Sequence, residues 1–320
     1  METTGTRPTR RTAPTRRTAI ALGAGAALAA ATALGAGTAH AAPPRNGAGP
    51  GLDPGLTGRL RELERERGAR IGVFAHDIAT GRTLTHRADE HFPVCSLFKP
   101  LAAAAVLRDL DRDGEFLARR IRWTADDIEP GWSPITKEHI ADGLTVERLC
   151  WAAIAHSDNT AGNLLLRELG GPTAVTRFCR SVGDPVTRLD RWEPDLNSAE
   201  PDRETDITTP CAIGRTYARL VLGRALTRPD RDLLGGWMLA NTTSEKRFRA
   251  GLPGWTVADK TGGGSYGTNN DAGVVWSPKG TRHAGAPIVM AVLTTHASPT
   301  AKGDDALVAE TAALLAGRLR

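Results

Sequence analysis

The spacing of apolar residues changes along the chain from helical to strand-like and back, twice. A leucine-spaced, charged stretch predicts a helix over Leu56–Arg67, and two strand-like runs around a turn at 79–81 predict a hairpin over Ile71–Arg87. The middle of the chain has helical spacing, with predicted helices over 96–111, 145–156, 159–169, 172–183, 210–223 and 231–241. Strand-like runs follow at 254–260, 271–276 and 287–295, before a final helix over 304–319.

This order of elements predicts an α/β (α+β) fold. The hairpin and the last three strands can form one antiparallel five-stranded sheet flanked by the two terminal helices. The helices between about residues 89 and 235 then form an inserted all-helical subdomain, and the α/β part comprises about 56–88 and 236–320. We expect the functional site in the cleft between the two parts.

The N-terminus is typical of a targeting segment. Arginines precede an apolar, charge-free run over Ala19–Ala36, and a small-residue cleavage site follows at Ala39-His40-Ala41. Residues 1–41 therefore predict a signal peptide, and the pair Arg16-Arg17 also fits the twin-arginine route. A retained membrane anchor is the alternative, which the weak hydrophobicity of the run disfavours. Residues 42–55 are predicted to be a flexible leader, and the mature protein is predicted to be secreted, extracellular or periplasmic, without membrane contact.

Charge and cysteine usage exclude some classes of function. Of the net charge of +5, most lies in residues 1–41, since the remainder carries 36 basic against 35 acidic residues. The body of the protein therefore offers no electrostatic basis for binding nucleic acid. The four cysteines (Cys95, Cys150, Cys179 and Cys211) show no metal-ligand spacing, so we expect neither a metal nor another cofactor. Export would permit disulfides, for which three complete pairings exist.

Three short motifs contain candidate chemistry, and each has an ordinary structural alternative. Ser96 and Lys99 lie three residues apart at a predicted helix start, so they face the same side, and a lysine can activate a serine nucleophile; the alternative is polar decoration of a helix start. The sequence Ser-Asp-Asn at 157–159 can line a cleft or cap a helix. The sequence Lys-Thr-Gly-Gly-Gly at 260–264 can bind a carboxylate beside a strand edge, or it can be a flexible hairpin.

A dinucleotide-binding interpretation of the glycines is rejected. The glycines at 262, 264 and 267 match the pattern G-x-G-x-x-G. That fingerprint requires a helix after the glycines, whereas a strand is predicted here.

Taken in this order, S-x-x-K, S-D-N and K-T-G resemble the motif set of penicillin-interacting serine enzymes. The acidic segment Arg191–Pro210, which alone would be read as a solvated loop, resembles the omega loop of class A β-lactamases, with Glu193 and Asn197 in the arrangement E-x-x-x-N. The resemblance extends from about Leu56 to Arg320 and is nearly residue by residue over Trp132–Leu166. It implies the serine β-lactamase/penicillin-binding fold.

The resemblance also implies a role for each matching residue. Ser96 would be the nucleophile, Lys99 and Glu193 the candidate bases, and Ser157 the donor of a proton to the leaving nitrogen. The implied substrate-binding residues are Trp132 at the cleft mouth, Asn159, Asn197, Lys260, Thr261, Gly262, Gly263 and Arg247, with Arg249 as the alternative arginine. The backbone N–H groups of Ser96 and Gly263 would form an oxyanion hole. Arg191 and Asp206 would form the ion pair that closes the loop, and the bond before Pro194 matches a position that is often cis.

The implied activity is hydrolysis of the β-lactam amide of penicillins, and we expect of cephalosporins, through a serine acyl-enzyme, giving antibiotic resistance. The expected partner is the small-molecule substrate, and the expected state is a monomer. One alternative is a cell-wall D-alanyl-D-alanine peptidase, which has no need of the Glu193 loop. The other is a non-catalytic protein, either an exported scaffold in which the motifs are relics or a receptor for β-lactams. The family's disulfide positions lack partners here: Cys95 has none among the residues after K-T-G, and Cys150 has none in 101–107, so neither family disulfide is expected.

Overall fold

The computed structural model describes residues 53–280 and 284–319. Its α-helices are α1 (Pro54–Arg67), α2 (Phe98–Ala105), α3 (Glu115–Ala118), α4 (Val146–Ala155), α5 (Asn159–Leu169), α6 (Thr173–Ser181), α7 (Pro210–Val221), α8 (Arg228–Leu239), α9 (Phe248–Gly251) and α10 (Asp305–Leu319). Its strands are β1 (Ala69–Asp77), β2 (Thr83–His86), β3 (Phe92–Pro93), β4 (Arg120–Ile121), β5 (Leu144–Thr145), β6 (Ile207–Thr208), β7 (Thr256–Gly263), β8 (Asn269–Trp276) and β9 (Pro287–His296).

The main sheet has five antiparallel strands in the order β2-β1-β9-β8-β7, which confirms the predicted sheet. Apolar side chains cover both of its faces. On one face, residues of β1 and β9 such as Val73 and Val292 pack against α1 and α10, which contribute Leu60 and Leu315. Because the other face also lies against helices, its strands have buried residues at consecutive positions rather than at alternate ones.

The second apolar cluster lies between the sheet and the helical part. It joins Ala272 and Leu293 of the sheet to residues of α2, α4, α5 and α7, among them Leu101, Leu149 and Leu165. Helix α2 is buried along its whole length, because its apolar, alanine-rich sequence allows neighbouring helices to approach from every side. The 3₁₀ turn at Cys95–Leu97, which leads into this central helix, contacts the edge strand β7 and so places Ser96 beside that strand.

Several boundaries differ from the predictions for identifiable reasons. Helix α1 begins at Pro54 and not at residue 56, because the Asp53 side chain accepts a hydrogen bond from Leu56 N at 2.9 Å and proline suits the first turn. The leader therefore ends before residue 54. Helix α8 begins at Arg228 and not at residue 231, because Thr227 provides the same kind of cap.

Two further elements differ in extent. The single helix predicted over 96–111 is a 3₁₀ turn at Cys95–Leu97, then α2, then a π-helical turn at Val106–Leu110. Strand β7 continues past Lys260 to Gly263, because Gly262 and Gly263 pair with β8. The strand therefore contains the first four residues of the K-T-G-G-G sequence.

The predicted signal peptide and all but the last three residues of the predicted leader lie outside the described residues. Within 53–280 and 284–319, no helix is both long enough and apolar enough to cross a membrane.

Candidate active site

Ser96 and Lys99 lie at the start of the central helix, and both are buried. The 3₁₀ turn that contains Ser96 follows Cys95, whose backbone is in the left-handed region at φ 44°. Lys99 Nζ donates to Ser157 O and to Asn159 Oδ1, each at 2.7 Å, and lies 3.0 Å from Glu193 Oε1. The Lys99 side chain is 0% exposed, so it is part of a polar cluster and not surface decoration of a helix start.

Within the S-D-N sequence, Asp158 caps a helix, whereas Ser157 and Asn159 contact Lys99. Asp158 caps α5 by accepting from Ala161 N at 2.8 Å, and it also accepts from Ile135 N and Thr136 N. This anchoring turns Ser157 and Asn159 toward Lys99. Ser157 has φ 57°, a conformation that costs a non-glycine residue about 1–2 kcal/mol. The Lys99 Nζ to Ser157 Oγ distance is 3.4 Å.

The loop over residues 191–210, called here the 191–210 loop, inserts Glu193 into the same cluster. Glu193 Oε1 lies 3.4 Å from Ser96 Oγ, and Glu193 Oε2 accepts a hydrogen bond from Asn197 Nδ2. The Glu193 side chain is 0% exposed. Ser96, Lys99 and Glu193 thus bring a hydroxyl, an amine and a carboxylate into one buried group, which is the arrangement needed to activate a nucleophile by a base.

The ends and the base of the loop are held by ionic and amide contacts. Arg191 Nε lies 2.6 Å from Asp206 Oδ2, and Asp206 also accepts from Asp190 N and Arg191 N. The Glu193-Pro194 bond is cis, as the resemblance implied. Asn163, which the sequence analysis did not single out, accepts from Glu193 N and donates to Glu193 O, both at 3.0 Å. Its sequence signal is its spacing, because it follows Asn159 by four residues on α5.

Strand β7 forms the opposite wall with Lys260 and Thr261. Lys260 is completely buried, and its Nζ donates to Thr261 O at 2.9 Å. Burial is the main cause that lowers the pKa of Lys260 well below its usual range, and the nearby positive charges of Lys99 and Arg247 act in the same direction. The carboxylates of Asp259 and Asp271 act in the opposite direction but do not outweigh these causes. The Thr261 hydroxyl is hydrogen-bonded to that of Thr243. An anionic ligand beside Lys260 would favour its charged form.

Comparisons with known proteins agree with this geometry. A family model described as the β-lactamase enzyme family matches residues 55–318. A β-lactamase of Streptomyces lavendulae is 64% identical over 276 residues, which cover 85% of this chain and 89% of that protein. The chain belongs to the β-lactamase enzyme family. It is therefore a hydrolase of the β-lactam amide bond, an activity that confers antibiotic resistance.

Solved structures agree with the fold of this β-lactamase. The β-lactamase from Streptomyces albus G has a TM-score of 0.79 at 61% identity, and the match covers 82% of this chain and 99% of that one. An ancestral class A β-lactamase has a TM-score of 0.77 at 50% identity, again over 82% and 99% of the two chains. These matches confirm the predicted class A fold.

The two candidate arginines of this β-lactamase have different surroundings. Arg247 lies next to β7, where Nη1 donates to Gly262 O at 3.0 Å and Nε donates to Asp305 Oδ1 at 2.7 Å. Arg249 instead donates to the carbonyls of Leu239 and Val257, behind the strand. Arg247 is therefore the arginine on the Lys260 side of the cleft.

Trp132 lies on the rim of the cleft of this β-lactamase. Its side chain is 55% exposed, its Nε1 donates to His156 O at 2.7 Å, and its carbonyl accepts from Asn159 N at 2.8 Å. The ring is thus held on the same segment as the S-D-N sequence. An exposed aromatic ring beside a polar cleft can cover the apolar part of a bound ligand.

The four cysteines of this β-lactamase, all within the described residues, are free thiols. Cys95 is buried, and burial raises the pKa of its thiol above its usual range. Its Sγ lies 3.0 Å from the position that a Cβ at Gly264 would occupy. The cysteine before Ser96 therefore packs against a glycine, where a disulfide would need a second cysteine.

Proposed function

We propose that Ser96 is the nucleophile that opens the β-lactam ring. Its Oγ attacks the β-lactam carbonyl carbon, the C–N bond of the ring breaks, and the new ester joins the substrate to Ser96. Glu193, acting through a water, or Lys99 accepts the hydroxyl proton, and Ser157 delivers a proton to the leaving nitrogen. The observation that carries this proposal is the buried group of Ser96, Lys99 and Glu193, in which Glu193 Oε1 lies 3.0 Å from Lys99 Nζ and 3.4 Å from Ser96 Oγ.

Glu193 and Asn197 are proposed to complete the cycle. A water between the carboxylate and the ester loses a proton to Glu193 and adds its oxygen to the ester carbonyl. The ester C–O bond then breaks, Ser96 Oγ regains a proton, and the opened β-lactam leaves as a carboxylic acid. The hydrogen bond from Asn197 to Glu193 supports this assignment, because it orients the carboxylate toward the cleft.

The remaining residues are proposed to bind and orient the substrate. Lys260, Thr261 and Arg247 would bind its carboxylate, since they bring positive charge and a hydroxyl to one wall of the cleft. Asn159 would bind the amide side chain, and Trp132 would cover it. Gly262 would let the substrate lie alongside the strand, because it has no side chain. The backbone N–H groups of Ser96 and Gly263 would stabilise the oxyanion, each typically contributing about 10²–10³ in rate.

The natural setting of the enzyme is proposed from the N-terminal sequence. Export would remove residues 1–41, a flexible leader would precede α1, and the mature protein would act as a secreted monomer on penicillins and cephalosporins outside the cytoplasm. N-terminal sequencing of the exported protein tests this proposal, with a first residue near Ala42 as the expected result. A mature protein that starts at Met1 would exclude it.

Turnover of benzylpenicillin distinguishes hydrolysis from the other two functions. A β-lactamase releases many products per enzyme, whereas a peptidase or receptor acylates once and remains acylated. In Glu193→Ala we expect acylation without rapid hydrolysis, and a stable mass adduct on Ser96. Asp195→Ala is the matched control, because Asp195 is an exposed carboxylate in the same loop. One product per wild-type enzyme would refute the deacylation role of Glu193.

A further inference from the structure

Glu129 lies behind the 191–210 loop and contacts the residue that holds Glu193. Its Oε1 accepts a hydrogen bond from Asn163 Nδ2 at 2.9 Å. The same amide nitrogen donates to Glu193 O at 3.0 Å, and Asn163 Oδ1 accepts from Glu193 N at 3.0 Å. A continuous chain of hydrogen bonds therefore runs from the Glu129 carboxylate through one amide to both backbone polar groups of Glu193.

The chemistry of the amide shows what Glu129 contributes. Asn163 Nδ2 has two hydrogens, and the carbonyl of Glu193 accepts only one of them. Asn163 is 9% exposed, so a missing partner for the second hydrogen would leave a buried polar group only partly satisfied. A carboxylate can only accept, so Glu129 satisfies that hydrogen with a charge-assisted bond and keeps the amide oxygen turned toward Glu193 N.

The backbone of Glu129 is hydrogen-bonded to α5, the helix that contains Asn163. Its N–H donates to Thr160 Oγ1 at 2.8 Å, and its carbonyl accepts from Ser133 Oγ at 2.9 Å. The two hydroxyls are themselves hydrogen-bonded at 2.9 Å. Because Thr160 and Asn163 both belong to α5, the carboxylate is held over Asn163 by its main chain as well as by its side chain.

The carboxylate occupies an electrostatically unfavourable place. Burial raises the pKa of Glu129, and the negative charges of Glu193 and Asp195 raise it further. The hydrogen bond from Asn163 is the contact that favours the charged form. The charged form of Glu129 is therefore disfavoured by its surroundings, apart from the hydrogen bond with Asn163. This pattern is consistent with a carboxylate that orients the amide.

We propose that Glu129 is a positioning residue for deacylation, acting through Asn163 to fix the backbone of Glu193. The inference rests on the proposed role of Glu193. It assigns to Glu129 no contact with the substrate. The deacylation step depends on the position of Glu193 against a water and the ester, whereas attack by Ser96 can also use Lys99 as the base. Loss of Glu129 should therefore slow hydrolysis of the acyl-enzyme more than its formation.

Single-turnover kinetics of Glu129→Ala and Glu129→Gln test the proposal. Acylation and deacylation by benzylpenicillin are followed separately, by rapid mixing and by intact mass of the acyl-enzyme. In Glu129→Ala we expect deacylation to slow about tenfold and acylation to change by less than about twofold. In Glu129→Gln we expect near wild-type deacylation, because the amide oxygen of glutamine can accept the same hydrogen bond. Glu138→Ala is the matched control, since Glu138 is a highly exposed carboxylate nearby.

Three results would overturn the inference without touching the proposed function. They are wild-type deacylation in Glu129→Ala, equal slowing in Glu129→Gln, and equal slowing of both steps together with a lower Tm, which would indicate a purely structural role. A wild-type enzyme that acylates once and does not turn over would instead overturn the proposed function, and the inference with it.

Discussion

A methyl group added at Gly264 has no room, because this glycine lies where β7 meets the 191–210 loop. A Cβ at this position would lie 2.7 Å from Asn197 O and 3.0 Å from Cys95 Sγ. Ordinary contact begins near 3.4 Å, so in Gly264→Ala the loop carbonyl must retreat by about 0.7 Å. That carbonyl accepts a hydrogen bond from Ser265 N at 2.9 Å, which the displacement weakens.

The expected effect has a stability part and a catalytic part. Overpacking of this kind costs about 1–3 kcal/mol, and in a domain of this size each kcal/mol lowers Tm by about 2–4 °C. We therefore expect Tm to fall by roughly 4–8 °C for a central cost of about 2 kcal/mol. Asn197 donates to Glu193, so the same displacement misplaces the proposed base, and deacylation should slow by roughly ten- to hundredfold.

Thermal unfolding and single-turnover deacylation measure the two parts. Gly263→Ala is the matched control for thermal stability alone, because its Cβ would meet nothing closer than Thr268 O at 3.8 Å while its backbone N–H belongs to the proposed oxyanion hole. We expect its Tm to stay within about 2 °C of wild type. Wild-type Tm and deacylation in Gly264→Ala would refute the reasoning from the close contact. Equal destabilisation in both variants would assign the effect to loss of glycine from a strand end.

Two further predictions concern buried carboxylates. Asp206→Asn should loosen the 191–210 loop, because Asp206 accepts from Arg191 Nε and from two backbone N–H groups; we expect a loss of about 1–3 kcal/mol in urea unfolding and faster proteolysis within the loop. For Asp271, burial and the charge of Asp259 raise the pKa well above its usual value of 3.8, so the folded protein favours the protonated form. In the unfolded chain, Asp271 has its usual pKa of 3.8. Between that pH and the higher pKa of the folded protein, only the unfolded state loses the proton, so stability falls as pH rises. Asp271→Asn removes this loss, so its free energy of unfolding relative to wild type should increase from pH 5 to pH 8; a constant difference would contradict the raised pKa.

Much of the fold follows from the sequence because apolar periodicity is a local signal. The strands of the sheet and the helices on both sides of it all appear as periodic runs. The boundaries that were wrong depend on single side chains, such as the caps provided by Asp53 and Thr227. The split of the long helix around α2 is a property of backbone hydrogen bonding, which the apolar pattern does not report.

The candidate site could be predicted from the sequence where its residues occur in short motifs. Ser96 and Lys99 are three positions apart at a helix start, and Ser157 and Asn159 flank Asp158 in a three-residue motif, so each pair is recognisable in the sequence. Asn163 and Glu129 were not identified from the sequence, because each contacts a residue far along the chain. Asn163 binds the backbone of Glu193, which is 30 positions away. The only local signal is the four-residue spacing of Asn163 from Asn159 on α5, and it does not reveal the contacts with Glu193 or Glu129.

The choice between Arg247 and Arg249 shows a second limit of the same kind. The two residues are two positions apart, and both are arginines in a stretch without strong periodicity. Their directions are decided by partners distant in sequence, Asp305 for Arg247 and the carbonyl of Val257 for Arg249. Only the chain's three-dimensional path brings one guanidinium to the cleft side of β7 and takes the other behind it.

The charges around Lys260 bear on the proposal that a substrate carboxylate binds beside it. Lys99 is paired with Glu193 at 3.0 Å, so its charge is compensated inside the cluster. The surroundings of Lys260 act in both directions: burial, Lys99 and Arg247 disfavour its charged form, whereas Asp259 and Asp271 favour it, and the net effect lowers its pKa. In the proposed binding mode, a substrate carboxylate beside Lys260 would add to the negative charge that favours the charged lysine, and its binding energy would include relief of part of the burial penalty. An anion bound there would therefore favour the charged form of Lys260, close to the proposed nucleophile Ser96.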